Sequence, residues 1–344
     1  MRKESILNLN LKEIEQILTA WNEKSFHARQ FFSWLYKKGV SDFASMSDIP
    51  SGLRDKLRED FYIFTIKITK HFYSRDGTEK FLFELNDSNL IEAVNIPTEK
   101  RVTGCISTQV GCKFACRFCA SGILGFKRNL TSGEMIEETL YLENKSKNKK
   151  LTHLVFMGIG EPLDNYENVL KAIRIINSPE GLNIGARKIT ISTCGIIPGI
   201  KKLAEEGLQI ELSISLHAAD DKTRSEIMPI NKKYPIKELI QACIDYINKT
   251  DRQITFEYVL IKNLNSDLQN AQKLSKILRG LNCKVNLIPC NPIKELNIEP
   301  PNKLEILFFK DYLLKRGINA TLRKPRGQDI EAACGQLRLR YEYK

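Results

Sequence analysis

The sequence predicts an α/β protein: an open, partial (β/α)6 barrel of TIM-like build, entered through a small N-terminal helical accessory domain and a β-strand extension. Three observations carry that reading. From about residue 98 onward, apolar β-rich runs alternate with helical segments, a pattern that needs a parallel sheet with helices outside it. Six such units are too few to close an eight-stranded barrel. Ahead of them the hydrophobic period is two, and ahead of that it is helical.

Residues 1–63 read as three helices. Asn10–Ala20 sets Leu11, Ile14, Ile17 and Leu18 on one face, and Ala28–Lys38 places Phe31, Phe32, Trp34 and Leu35 before a stop at Gly39. A third helix follows Pro50 and aligns Leu53, Leu57 and Phe61, so the aromatic stripe reads as core. Period-two runs at Phe64–Ile68 and Lys80–Leu85 predict strands joined at Asp76-Gly77, and Asn89–Ile96 makes a third. A boundary near Pro97 then divides the chain into 1–63, 64–97 and 98–344. The barrel strands are expected at Val102–Ser107, Leu151–Met157, Lys188–Thr193, Gln209–Leu216, Ile254–Ile261 and Cys283–Pro289, with a last short one at Ala320–Lys324. Between the first two lies a helix, Ser132–Glu143, opened by a capping box at Thr131-Ser132-Gly133-Glu134. In this class of fold the residues just past the strand ends form the site.

At 344 residues the chain can bury a large core, and no apolar run approaches the roughly 20 residues of a membrane span. The start, Met1-Arg2-Lys3-Glu4-Ser5, is too charged for a secretory leader, so a cytoplasmic protein is expected. Nine cysteines, an odd count, argue for reduced thiols with metal or catalytic duties rather than a disulfide framework. The formal charge is +12, and all of it lies beyond residue 100: the first hundred residues balance 15 Lys and Arg against 15 Asp and Glu. A basic catalytic half favours a polyanionic substrate, with RNA the first candidate.

The most specific stretch is Gly111–Cys119, which sets Cys112, Cys116 and Cys119 in a C-x3-C-x2-C spacing with no fourth Cys or His nearby in sequence. Zinc and ordinary iron–sulfur sites close with four protein ligands, whereas three thiolates on a four-iron cluster leave one iron open to a substrate. A structural zinc knuckle and buried apolar cysteines are the alternatives. The strand ends add Cys105, the turn Gly158-Ile159-Gly160-Glu161-Pro162, Ser192, Ser213 to His217, and Pro289-Cys290-Asn291-Pro292. Each is a weak signal alone, and a lone strand-end histidine such as His217 is more often hydrogen-bonded structure than a base. Near the C-terminus, Arg323–Leu337 sets Cys334 beside Gly335 after a cationic run, and cations favour the nucleophilic thiolate. An inert tail thiol is the alternative there.

The cysteine spacing, with Phe118 before the last Cys, resembles that of radical S-adenosylmethionine (SAM) enzymes. Taken with GIGEPL at 158–163, LIPCNP at 287–292 and RKPRGQDIEAACGQL at 323–337, the chain resembles the RlmN/Cfr family of RNA methyltransferases over essentially its whole length, including the helical accessory domain. The resemblance implies a radical SAM barrel with a [4Fe–4S] cluster on Cys112, Cys116 and Cys119, and two SAM per turnover. It implies SAM contacts at Gly160, Glu161, Ser192, Ser215, Leu216, His217 and Asn291.

Adenine C2 lies between two ring nitrogens and is electron-poor, so a radical route is needed. The implied route methylates Cys334, turns that methyl into a carbon radical that adds to C2, and leaves the base tethered to Cys334. Glu92 is implied as the base that removes the C2 proton, and Cys105 as the thiol that frees the product through a transient disulfide with Cys334. An edge-strand surface carboxylate is the alternative for Glu92. Implied partners are 23S rRNA, tRNA and a low-potential electron donor such as flavodoxin; a monomer with no membrane association is expected. Recognition is expected to use splayed single-stranded bases rather than duplex readout. Pro162 and Arg326 favour the C2 branch over C8 methylation of the same rRNA adenosine, as in Cfr. The reading of another class is a zinc-stabilised RNA-binding protein without catalysis. Cys290 departs from the family pattern, which has a non-thiol residue there.

Overall fold

The computed structural model describes residues 3–123, 125–145, 150–291 and 298–337. Met1, Arg2 and Pro292 of the sequence motifs lie outside them. The first strand, β1 (Glu4–Ser5), precedes helices α1 (Leu11–Ala20), α2 (Phe26–Phe32) and α3 (Ser51–Asp60), and pairs with β2 (Phe61–Tyr62). α1 starts where Asn10 and Glu13 exchange side-chain-to-backbone hydrogen bonds of 3.0 and 2.7 Å, a capping box, and it buries Ile14 and Leu18. The second expected helix is shorter than its sequence pattern: α2 ends at Phe32 and gives way to a π-helical stretch, Ser33–Lys37.

Next come β3 (Lys67–Tyr73), β4 (Glu79–Glu84) and β5 (Leu90–Pro97), antiparallel neighbours, the first two joined through the Asp76-Gly77 turn. The first begins three residues later than its hydrophobic pattern suggests. Glu137 explains this, because its carboxylate accepts from the N–H groups of Thr65 and Ile66 at 2.8 and 2.9 Å and withdraws them from a ladder.

The remaining elements are β6 (Val102–Cys105), β7 (Gln109–Gly111), β8 (Phe126–Asn129), α4 (Ser132–Lys145), β9 (His153–Phe156), α5 (Tyr166–Asn177), β10 (Ile189–Thr193), α6 (Ile197–Ala204), β11 (Glu211–Ser215), α7 (Asp221–Ile227), α8 (Ile236–Thr250), β12 (Ile254–Leu260), α9 (Leu268–Ile277), β13 (Cys283–Pro289), α10 (Lys303–Lys315) and β14 (Asn319–Leu322). The expected capping box at α4 is present: the Glu134 N–H donates to Thr131 Oγ1 at 3.2 Å, and the Thr131 N–H donates to Glu134 Oε2 at 2.8 Å.

One ten-stranded sheet runs β14-β13-β12-β11-β10-β9-β6-β5-β4-β3. From β14 to β6 the pairing is parallel, and β5 to β3 continue it antiparallel across Pro97. The two edges, β14 and β3, do not pair, so this is the partial barrel the sequence predicts. The interior differs from the near-continuous apolar strands read from sequence. Leu154, Ile191, Ile214, Phe256 and Val285 pack outward under the helices, while the opposite face carries His153, Thr190, Ser213, Glu257 and Asn286. Polar side chains therefore line a hollow of about 560 Å³ where an eight-stranded barrel would be packed with branched apolar ones.

Candidate active site

Two cavities adjoin at the C-terminal ends of the strands. The smaller, about 160 Å³, is walled by Cys112, Cys116 and Cys119 on one side and by Gly160, Glu161, Ser192, Ser215, His217 and Asn291 on the other. The larger is the barrel hollow, which takes in Cys105 at the end of β6. Cys334, Arg323, Glu257 and Asn291 border both. Tertiary structure thus gathers nearly every residue singled out above. Leu216 is an exception in part: its side chain is fully buried outside both cavities, while its carbonyl accepts from Arg224 Nε at 3.0 Å. Glu92 is the other. It lies on the Cys105 face of the sheet, two residues from Val94, the Cys105 partner, but it borders neither cavity and is buried against Lys80 Nζ at 3.0 Å. The surface-carboxylate alternative for Glu92 is excluded, since that residue is inaccessible to solvent.

The cysteine loop leaves the β7–β8 hairpin in a conformation that glycine dictates. Gly111 has φ +75°, and a Cβ there would fall 1.8 Å from the Gly125 carbonyl oxygen. The Cys112 N–H donates to that carbonyl at 3.0 Å, and the Cys119 N–H closes a turn onto the Cys116 carbonyl, also at 3.0 Å. Burial raises all three thiols, Cys112 to about 12, and their proximity to one another adds to the effect for Cys112 and Cys116. Such a set gains by giving its protons up to iron. Among the described residues no three of His, Cys, Asp and Glu gather closely enough to share a single ion. Cys112, Cys116 and Cys119 are soft sulfur donors on one cavity wall, three in number, which a four-iron cluster takes with one iron left open.

Across the cavity, Gly160 has φ +106°, and a Cβ would meet Gln109 Cβ at 2.6 Å. The buried Glu161 carboxylate accepts from the N–H groups of Leu163 and Cys194 at 3.0 and 2.7 Å, which fixes it on the cavity wall.

His217 stands at φ +58° with its ring edge-on to Phe118, centroids 4.5 Å apart. Its Nδ1 accepts from the Val259 N–H at 3.0 Å, so the proton sits on Nε2. Burial, aided by Arg224, lowers its pKa to about 3. An exposed imidazole in the unfolded chain takes up a proton near pH 6.5, so His217 supports folding fully above that pH and less as acidity rises. In denaturant titrations wild type is expected to lose up to about 1.4 kcal/mol per pH unit below pH 6.5 relative to His217→Gln. Parallel pH profiles for the two proteins would refute the assignment.

Two residues that sequence reasoning missed organise the rest. Glu257 is a buried acid in the otherwise apolar run of β12, held by Asn286 Nδ2 at 2.8 Å. Burial raises its pKa, and Arg323, Asn286 and Ser213 work against that. A lone carboxylate on the inner register of a strand was the signal. Arg224 is fully buried and donates to the carbonyls of Leu216, Cys194 and Ser215 and to Asn231 Oδ1, at 3.0, 2.8, 3.1 and 2.9 Å. Nothing in its helical sequence context marks it out.

The C-terminal segment closes the site. The Ala120 N–H donates to the Gly335 carbonyl at 2.7 Å, and Ser121 Oγ donates to the Leu337 carbonyl at 3.0 Å. A Cβ on Gly335 would meet the Phe118 carbonyl oxygen at 2.8 Å, so Cys334 is seated directly on the cysteine loop. The Arg323 guanidinium holds its proton more tightly beside Cys334, and burial with the nearby Cys334 raises Cys105. Both of these cysteines are free thiols. Cys290 is buried beside Asn291 in an apolar cluster with Cys194 and Met228, which fits a packing role.

Residues 106–274 match the Radical SAM superfamily, and residues 5–63 match the ribosomal RNA large subunit methyltransferase N-terminal domain. A probable dual-specificity RNA methyltransferase RlmN of Clostridium novyi (strain NT) is 47% identical over 98% of this chain and 98% of its own length. The Clostridium acetobutylicum protein of the same description is 49% identical with the same coverage. A crystal structure of a radical SAM methyltransferase from Sphaerobacter thermophilus, 43% identical, superimposes with a TM-score of 0.94 over 97% of this chain and 99% of that one.

Proposed function

This chain belongs to the RlmN family of dual-specificity RNA methyltransferases, and on that premise we propose that it methylates C2 of one adenosine of 23S rRNA, in the peptidyl transferase centre, and of the adenosine beside the anticodon in tRNA. The observation that carries this reading is the cavity shared by Cys105 and Cys334, opening onto the one walled by Cys112, Cys116 and Cys119. A [4Fe–4S] cluster and SAM, when bound, supply the methyl group and the radical chemistry that an electron-poor carbon requires.

The chain's own residues do the rest. Cys112, Cys116 and Cys119 hold the cluster. Gly160 lets the backbone approach SAM; Glu161 accepts from its ammonium; Ser192, Ser215, His217 and Asn291 contact it from the strand ends, and Leu216 through its main chain. His217, neutral at working pH, serves as a hydrogen-bond donor rather than a base. Cys334 accepts the methyl group and then carries the base, with Arg323 on the same cavity wall. Cys105 displaces the product by forming a disulfide with Cys334, and Glu92, on the Cys105 face of the sheet, takes the C2 proton once its contact with Lys80 opens to the hollow. Residues 1–63 handle the RNA, and 64–97 link them to the barrel domain, 98–344. The basic excess beyond residue 100 suits that polyanion. A cytoplasmic location that keeps the thiols reduced, a flavodoxin-like electron donor and a monomeric enzyme complete the proposal. None of the described helices is long and apolar enough to cross a membrane.

Anaerobic reconstitution with iron and sulfide, followed by incubation with SAM, reductant and 23S rRNA or tRNA, is expected to give 2-methyladenosine in nuclease digests read by mass spectrometry. 8-Methyladenosine instead would assign the chain to the Cfr branch. A colourless protein holding zinc and giving neither product would return the non-catalytic reading.

A further inference from the structure

Residues 323–337 carry Cys334 across the barrel mouth and are gripped from three directions. At the strand ends, Asn291 Nδ2 donates to the Cys334 carbonyl at 2.9 Å, and Asn291 Oδ1 accepts from Gln328 Nε2 at 2.8 Å. From the strand extension, the turn between β3 and β4 reaches over. Asp76 Oδ2 accepts from the Gly327 N–H at 3.0 Å, and Asp329 accepts from Ser74 Oγ and the Arg75 N–H at 2.6 and 3.2 Å. Burial works against ionisation of Asp76, but hydrogen bonds from Thr78, Gly327 and Ser74 win and hold it at about 2, so these are bonds to a carboxylate. Turn and segment also touch: a Cβ on Gly327, at φ +63°, would lie 2.9 Å from Thr78 Cγ2.

The third grip comes from inside the sheet. Lys80 on β4 is buried, with Nζ 3.0 Å from Glu92 Oε1 and 3.2 Å from the Glu331 carbonyl oxygen. A lysine is seldom buried without a partner, and a buried ion pair is weak evidence of a contribution to stability. This one joins the carboxylate on β5 to the backbone of the cysteine segment, three residues before Cys334.

We propose that the β3–β4 hairpin and Lys80 form a clasp that sets where Cys334 stands over the cavity, making Asp76, Lys80 and Asp329 positioning residues for the reaction. The proposal rests on the reading of Cys334 as the reacting thiol and Glu92 as the base. It gives the extension a second task besides carrying Glu92, and it joins the position of the base to that of the nucleophile through one ammonium group.

The test is timed alkylation of the full-length protein with iodoacetamide, followed peptide by peptide in a mass spectrometer, with the buried Cys243 and Cys283 reporting on the fold. Asp76→Ala/Asp329→Ala is expected to speed modification of Cys334 at least about tenfold, equivalent to roughly 1.4 kcal/mol, with Cys243 and Cys283 still protected. Lys80→Met is expected to act in the same direction, and Lys80→Arg to restore part of the protection. An unchanged Cys334 rate in the double variant overturns the clasp. So does an acceleration shared by Cys243 and Cys283, which would mean general loosening. The readout needs no turnover, so it is decided separately from the catalytic reading, which Cys334→Ala addresses.

Discussion

Cys334→Ala is expected to leave no measurable methylated adenine, a loss on the order of 10⁴-fold or more, the scale reached when a covalent nucleophile is removed. The reason is position. Cys334 is the thiol that borders both cavities, so it can meet a methyl donor at the strand ends and a base in the barrel hollow. It is seated there by Gly335 against the cysteine loop and by Asn291 at its own carbonyl. Cys105→Ala should fail differently. Cys105 borders only the barrel hollow, so the first steps would proceed and the base would stay bound to Cys334. A protein–RNA species resistant to denaturing electrophoresis is the expected sign, absent from the double variant. Full methylation by Cys334→Ala would dismiss the tethered route and leave only the radical SAM assignment.

Arg224→Met is expected to cost about 3–5 kcal/mol of stability, because it withdraws one guanidinium from four main-chain carbonyls and one amide oxygen, most of them buried. Burial already lowers the pKa of Arg224, so the group is retained at an energetic cost of its own. Its acceptors include Cys194 just past β10, and Ser215 and Leu216 at the end of β11, the last two being positions from which SAM contacts are proposed. A drop in the urea midpoint at unchanged slope measures the loss. A shift worth under about 1 kcal/mol would mean that the strand ends hold themselves and that Arg224 is incidental.

Much of this protein is local in origin and was therefore legible in the sequence. The strands β9 to β13 announce themselves as β-rich runs, and Thr131 and Glu134 cap α4 through atoms three residues apart. Cys112, Cys116 and Cys119 share one loop, so their spacing could be read without the fold. Where a distant residue competes for a local group, the pattern misleads. β3 starts late because Glu137 takes the N–H groups of Thr65 and Ile66. Glu92 in isolation resembles any solvent-facing strand acid; only its register opposite Leu82 and next to Ile91 and Ala93 in the sheet buries it beside Lys80.

By itself, then, the sequence determined the class of fold, the three-cysteine loop and the family, since those rest on periodicity and on short runs whose residues are neighbours in the chain. Tertiary structure alone decided that Cys105 and Cys334 share a hollow, that polar side chains reach into that hollow, that Arg224 ties the strand ends together, and that the hairpin turn holds the cysteine segment. Each of these depends on distant strands being brought together across the sheet, by parallel pairing in the barrel and antiparallel pairing in the extension, and a pairing of that range is specified by the whole set of packed strands and helices rather than by the residues that meet.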